Sequence, residues 1–279
     1  MAVRIVTDST CDLPSNIIRE LDITIMPNYL LFGTESYRDG IDIDTDRFYQ
    51  KLLNESAYPT TSQPTPQDFR TAFSQLSEAG ADGIVCIHIS PRLSGTLNSA
   101  EQAKKNTPLP IPIEIIDSQT LSFGLGLIAC AAARMAKDGK CFEEITEAVR
   151  QMVTKTKLLI MFDTLEYLAK GGRIGKVNSL LGALLNVKPL VTTKDGEFVP
   201  SCQVRSHAKG KEKLLEFVNG VTDAAEVFVA YSTTYDEAQE MATRISVCPP
   251  EKICVSRLGP VIAAHGGPGL LGIAVRSES

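Results

Sequence analysis

Three polar segments of the chain concentrate the side chains that could hold or transform an anion. The first, Thr60-Thr61-Ser62-Gln63-Pro64-Thr65-Pro66, sets neutral hydroxyl and amide groups ahead of a helix, with prolines stiffening the approach. Neutral donors at a helix N-terminus suit a carboxylate, although the same residues also make a capped loop-to-helix junction. The second, Ser90-Pro91-Arg92-Leu93-Ser94-Gly95-Thr96, repeats the idea after a buried strand: Ser94 stands where strand gives way to helix, and Gly95 lets a ligand approach the backbone closely. Arg92, two residues before Ser94, excludes a Gly-x-Ser-x-Gly nucleophile elbow, and a phosphate-binding Gly-Lys-Ser/Thr loop is missing. In the third, Gly259–Gly269, glycines and prolines surround a single imidazole, His265, which is read either as a ligand-facing group or as an internally satisfied histidine.

Other residues are less telling. Lys170-Gly171-Gly172-Arg173 is a basic glycine-rich turn in which Arg173 could meet a phosphate or an acidic partner. Asp8 and Asp12 lack the third carboxylate or Asp-x-Asp spacing of a metal or aspartyl-phosphate site, so metal chemistry is not expected. His88 falls within an apolar strand, facing core or pocket, and His207 opens a charged helix. Three strands end alike, at Asp8-Ser9, Asp117-Ser118 and Asp163-Thr164, positions that either cap the next helix or meet a ligand at the carboxyl edge of a sheet.

Composition narrows the classes. The 279 residues carry 28 Lys and Arg against 33 Asp and Glu, a net charge of −5, with no basic run, so nucleic acid is not an expected partner. Lys209–Lys213 reads as a solvated helix face. Apolar residues make up 43%, enough for a packed core, which excludes intrinsic disorder. The most apolar stretches, Leu121–Ala133 and Leu180–Leu185, fall short of the ~20 residues that span a bilayer, and the first residues run into a strand without a signal-peptide pattern. Seven cysteines without Cys-x-x-Cys or Cys-x-x-His spacing predict neither a disulfide framework nor zinc, and a reduced, cytoplasmic location.

The elements that must position these residues are read from hydrophobic periodicity. Strands are predicted at Val3–Thr7, Ile23–Phe32, Gly83–Ile89 and Ile113–Ile116, with helices from Pro14, from Pro66, after Ser94-Gly95-Thr96, over Leu121–Lys137 and over Phe142–Lys155. Such alternation predicts a mostly parallel sheet flanked by helices. Beyond it come a strand at Leu158–Phe162, a helix through Leu180–Leu185, and a hairpin at Asp195-Gly196 between Leu190–Thr193 and Glu197–Ser201. Further strands at Val227–Tyr231, Ile253–Ser256 and Leu271–Val275 complete a mixed sheet. The predicted fold is therefore α/β with two domains, residues 1–155 with the hydroxyl-rich loops and residues 156–279 with the His265 loop.

Taken in order, Thr7-Asp8-Ser9, Thr61-Ser62-Gln63-Pro64, Ser94-Gly95-Thr96, Gly171-Gly172-Arg173-Ile174 and His265-Gly266-Gly267-Pro268-Gly269 resemble the DegV family of bacterial fatty-acid-binding proteins over essentially the whole chain. Thr65 departs from the family's more usual serine but keeps the hydroxyl. The resemblance implies a two-domain α/β carrier with a long-chain fatty acid, such as palmitate or oleate, between its domains. It implies that Thr61, Ser62, Ser94 and His265 bind the carboxylate, supported by Gly95, Thr96 and Gly266, with Arg173 turned to a partner or phosphate. It further implies no cofactor, no catalytic residue in this chain, and a separate fatty acid kinase subunit that makes acyl-phosphate for phospholipid synthesis, with transient contact at a membrane surface. Burial of ~14 methylenes at about 0.8 kcal/mol each would contribute roughly 11 kcal/mol before ordering costs. The competing expectation is a stand-alone serine hydrolase or small-molecule phosphotransferase using Ser94 and His265.

Overall fold

The computed structural model describes residues 2–54, 58–180 and 187–278. Its first part holds strands β1 (Val3–Asp8), β2 (Thr24–Met26), β3 (Tyr29–Phe32), β4 (Glu35–Arg38), β5 (Thr60–Ser62), β6 (Gly83–His88) and β7 (Ile113–Asp117). Among them lie helices α1 (Ser15–Glu20), α2 (Thr45–Asn54), α3 (Pro66–Glu78), α4 (Thr96–Lys105), α5 (Ser122–Lys137) and α6 (Phe142–Lys155). The rest holds β8 (Thr156–Met161), β9 (Lys188–Lys194), β10 (Glu197–Val204), β11 (Ala224–Tyr231), β12 (Ile253–Arg257) and β13 (Leu271–Ser277), with α7 (Glu166–Lys170), α8 (His207–Asn219), α9 (Tyr235–Thr243) and α10 (Pro260–Gly266).

The predicted α/β class holds. A parallel sheet of order β2-β1-β6-β7 is built from the first part, and a six-stranded mixed sheet of order β10-β9-β8-β13-β11-β12 from the second. All six residues of β6 are buried, as its unbroken apolar run requires of a central parallel strand covered on both faces. The β9–β10 hairpin turns at Asp195 and Gly196, with φ of 53° and 78°, the paired left-handed geometry that suits the right-handed twist of the strands.

Two sequence expectations are corrected. Residues 23–32 are not one extended segment. Proline at position 27 cannot donate to a ladder, and here the chain leaves the parallel sheet after Met26 and enters a separate antiparallel sheet, β4-β3-β5, at Tyr29. Thr60–Ser62 is not a loop but β5, with Thr61 opposite Leu30 of β3. Three-residue strands carry too few alternations to register as periodicity, and neither this sheet nor α2 is legible in the sequence. Of the helix expected through Leu180–Leu185, residues 175–180 form 3₁₀ turns and residues 181–185 lie outside the described residues.

Helix α5 is the keystone. Twelve of its sixteen residues are buried, and it packs against β1 and β6 on one side and β8, β11 and β13 on the other. One apolar core therefore runs from Ile5 and Val85 in the parallel sheet through Phe123 and Ile128 to Ile160 and Ala274 in the mixed sheet. Two smaller cores fill the outer faces, one under α3 and α4 around Phe69 and Phe73, the other under α8 and α9 around Leu214 and Met241. Among the described residues no helix is long and apolar enough to cross a membrane.

Candidate functional site

Between the two large sheets lies a cavity enclosing about 680 Å³ of atom-free space, its open mouth included. Its walls are apolar: Ile160 and Phe162 from the end of β8, Leu121 and Phe123 at the start of α5, Phe198, Leu258 and Ile262. The lining also carries polar groups, and it brings together Thr61, Ser62, Ser94, Arg173, His265 and Gly266 from segments more than 200 residues apart in sequence. Gln63 of the same segment as Thr61 and Ser62 lines it as well, as do Thr10, Asn28 and Ser122, which sequence reasoning did not single out. Gly95 and Thr96 stand just behind Ser94. A side chain at Gly95 would press within 3.0 Å of Gln63.

Thr61 and Ser62 reach the cavity from an edge strand rather than from a helix N-terminus. The start of α3 is closed by its own residues: Thr65 Oγ1 accepts from Asp68 N–H at 3.2 Å and the Asp68 carboxylate accepts from Thr65 N–H at 2.8 Å. That capping box leaves no N-terminal anion site at α3, and the expectation of one is corrected. The strand-end aspartates divide similarly. Asp117 accepts from Gln119 N–H, Asp163 pairs with Lys188, and Asp8 is drawn into a buried network.

The head of the cavity is built on a hydroxyl–imidazole pair and a hydroxyl–hydroxyl pair. Thr61 Oγ1 lies 2.7 Å from His265 Nε2, and Ser94 Oγ lies 2.9 Å from Thr96 Oγ1. Burial, then the nearby Arg173 guanidinium, pushes the His265 pKa down to about 4, so the ring is neutral at physiological pH. Its Nδ1 is buried with no partner among the described residues. Ser94 and His265 are therefore neighbours in one cavity but are not hydrogen-bonded to each other, and no carboxylate among the described residues orients the imidazole. The base–orienter geometry of a hydrolytic triad is not assembled. Arg173, expected to meet a partner or a phosphate, lines the same cavity, with Nε on the Leu93 carbonyl at 3.4 Å and Nη1 on the Gly171 carbonyl at 2.6 Å.

A depressed histidine pKa has a signed consequence. Between about 4 and the ordinary value of 6.5 the unfolded chain binds a proton that folded His265 refuses. Wild type should therefore lose stability relative to His265→Gln as pH falls through that window, and the difference should be flat above it. Urea unfolding at pH 7 and pH 4.5 measures this, and a gap that does not change with pH contradicts it.

The His265 segment is fitted tightly to its neighbours. Tyr58 Oη approaches the carbonyls of Tyr167 and Ala264 at 3.0 and 2.9 Å, tying α7 to α10. A Cβ at Gly171 would collide with His265 Nδ1. Gly171→Ala should displace the ring from Thr61 and weaken ligand binding about tenfold, the loss of roughly one hydrogen bond. Unchanged binding would mean the ring position does not matter.

Behind Ser94 runs a buried string that the sequence did not reveal. Thr96 Oγ1 lies 3.2 Å from Asn28 Oδ1, and Asn28 Nδ2 donates to Asp8 Oδ1 at 3.3 Å and to Ser9 Oγ at 3.2 Å. Asp8 also accepts from Thr10 N–H and Oγ1, from Ile89 N–H, and from His88 Nδ1 at 2.9 Å. His88 is thus a core residue, edge-on to Phe69 and fully buried. The Thr7-Asp8-Ser9 strand end was the one legible trace of this network.

Comparison with known proteins agrees with the geometry. The profile of a family described as uncharacterised DegV proteins matches residues 2–278. A DegV domain-containing protein of Streptomyces coelicolor is 36% identical over 280 residues, covering 99% of each chain. A fatty-acid-binding DegV family protein of Thermus thermophilus superimposes with a TM-score of 0.90 at 32% identity, covering 99% of this chain and 100% of that one. A stearic-acid-binding protein of Eubacterium ventriosum does so with a TM-score of 0.88 at 29% identity, covering 99% and 98%.

Proposed function

The chain belongs to the DegV family, and from that premise we propose that it is a fatty-acid carrier: it holds one long-chain acid in the cavity between its two large sheets, carboxyl group at Thr61, Ser94 and His265. The observation that carries this reading is the pairing of one narrow apolar cavity with one cluster of neutral hydroxyls and a neutral imidazole at its head. An acyl chain gains about 0.8 kcal/mol for each methylene removed from water, and its head group needs hydrogen bonds where it is buried. Both needs are met by the residues present. The fatty acids bound by the Thermus and Eubacterium proteins, of the same fold and about 30% identical, support the assignment of ligand class.

In this reading residues 1–155 and 156–279 are two units that share the ligand, with Thr61, Ser62 and Ser94 from the first and His265 from the second. Gly95, Thr96 and Gly266 shape the backbone around the head group. The chain presents the carboxyl to a separate kinase for acyl-phosphate formation in the cytoplasm, and Arg173, at the head of the cavity, meets the phosphate or the kinase. The test is ATP-dependent acyl-phosphate formation, trapped as hydroxamate. The purified, loaded protein alone should give none, and adding a fatty acid kinase subunit should restore it. Turnover by this chain alone, or hydrolysis of an acyl ester by it, would overturn the carrier assignment.

A further inference from the structure

The buried string behind Ser94 has a direction. Asp8 accepts hydrogen bonds from Thr10, Asn28, His88 and Ile89 and, as a carboxylate, donates none. Burial alone would raise its carboxyl, but these donors and the adjacent His88 outweigh that and hold it below the ordinary range, hence ionised. An ionised Asp8 fixes the Asn28 amide, with Nδ2 toward Asp8 and Oδ1 toward Thr96. A carbonyl oxygen only accepts, so Thr96 spends its single proton on Asn28. The 2.9 Å contact between Ser94 and Thr96 then takes its proton from Ser94, whose oxygen also accepts from Thr96 N–H at 3.4 Å, and Ser94 offers the cavity its remaining lone pair rather than a proton.

We propose that Asp8 is a positioning residue that, through Asn28 and Thr96, sets Ser94 as a hydrogen-bond acceptor, so that the cavity takes its fatty acid in the neutral form with the acid O–H donated to Ser94. The inference rests on the fatty-acid reading above. With a neutral acid, every bond from ligand to Ser94, Thr96, Asn28 and Asp8 runs the same way, and such chains reinforce one another in a low-dielectric interior. With a carboxylate, Ser94 must turn its proton to the ligand, leaving the Ser94 and Thr96 oxygens 2.9 Å apart with no proton between them. The surrounding charges oppose each other. Arg173 is the cation among the lining residues and favours a carboxylate, but its Nε and Nη1 are engaged by the Leu93 and Gly171 carbonyls. His265 is neutral, Asp12 stands behind Ser122, Asp39 behind Ser9, and the Asp8–His88 pair closes the string.

Infrared difference spectra of delipidated protein reloaded with [1-13C]palmitate against unlabelled palmitate read the protonation state directly. At pH 7 wild type should show the carbonyl band of a protonated acid. In Asp8→Asn, and independently in Thr96→Ala in case the first variant fails to fold, the pH at which acid and carboxylate bands are equal should fall by at least one unit. A carboxylate band alone in wild type, with the label bound one to one, would overturn the proposal and leave the carrier reading standing. An acid band that does not move in the folded variants would overturn the role of Asp8. No uptake of the label by wild type would instead overturn the carrier reading itself.

Discussion

Replacing Thr61 and Ser94 together by alanine is expected to weaken long-chain fatty-acid binding on the order of 100-fold while leaving the fold intact. Each hydroxyl faces the cavity head, Thr61 beside His265 and Ser94 beside Thr96. Removing a partner from a buried polar group costs about 1–3 kcal/mol, and each 1.4 kcal/mol is tenfold in affinity, so two such losses give about two decades. The fold should survive because Thr61 sits on a three-residue edge strand whose ladder bonds are made by the backbone, and Ser94 precedes α4 rather than packing in its core. Each single variant should lose about tenfold. Displacement of a fluorescent fatty acid measures this, and wild-type affinity in the double variant would move the carboxyl to another part of the cavity.

The second large effect is at the other end. Ile160 of β8 lies opposite Gly272 of β13, and Leu158 lies opposite Ala274 one inward-facing row further on. Ile160 lines the cavity, whereas Leu158 is packed in the core, so the space ends between these rows. Phe123 closes it. Its ring rests on Gly272, where a Cβ would come within 2.5 Å of the ring, and stacks on Phe228 at 6.3 Å. Phe123→Ala should destabilise the protein by about 3–5 kcal/mol, as expected for an emptied aromatic core site. It should also shift preference toward longer acids, each extra buried methylene adding about 0.8 kcal/mol, or roughly fourfold. Urea unfolding and competition among acids of increasing length check the two halves separately. An unchanged length order would place the tail of the cavity elsewhere.

What the sequence made legible was what is repeated over several residues or set by special backbone geometry. The buried run of β6, the amphipathic α3, the Asp195-Gly196 hairpin and the glycine-lined His265 segment all fall in this class, and the parallel and mixed sheets followed from them. The antiparallel sheet β4-β3-β5 did not, because strands of three and four residues hold no periodicity and their pairing is decided by tertiary contacts. That miss also misplaced Thr61 and Ser62, expected on a loop feeding a helix dipole but found on β5. The residues proposed for the head group were reached through the family resemblance, and the structure gathers Thr61, Ser62, Ser94 and His265 at one cavity. Asn28 and Tyr58 were beyond reach. Their roles depend on hydrogen bonds to residues 20 and up to 206 positions away, which no local pattern encodes.

The measurement that bears most directly on the carrier assignment is organic extraction of the purified protein followed by mass spectrometry of the extract. The account predicts close to one long-chain fatty acid per chain, its length reporting the reach of the cavity from His265 to Phe123. An empty extract, together with no uptake of added palmitate or oleate by the folded protein, would contradict it and return Ser94 and His265 to the position of candidate catalysts.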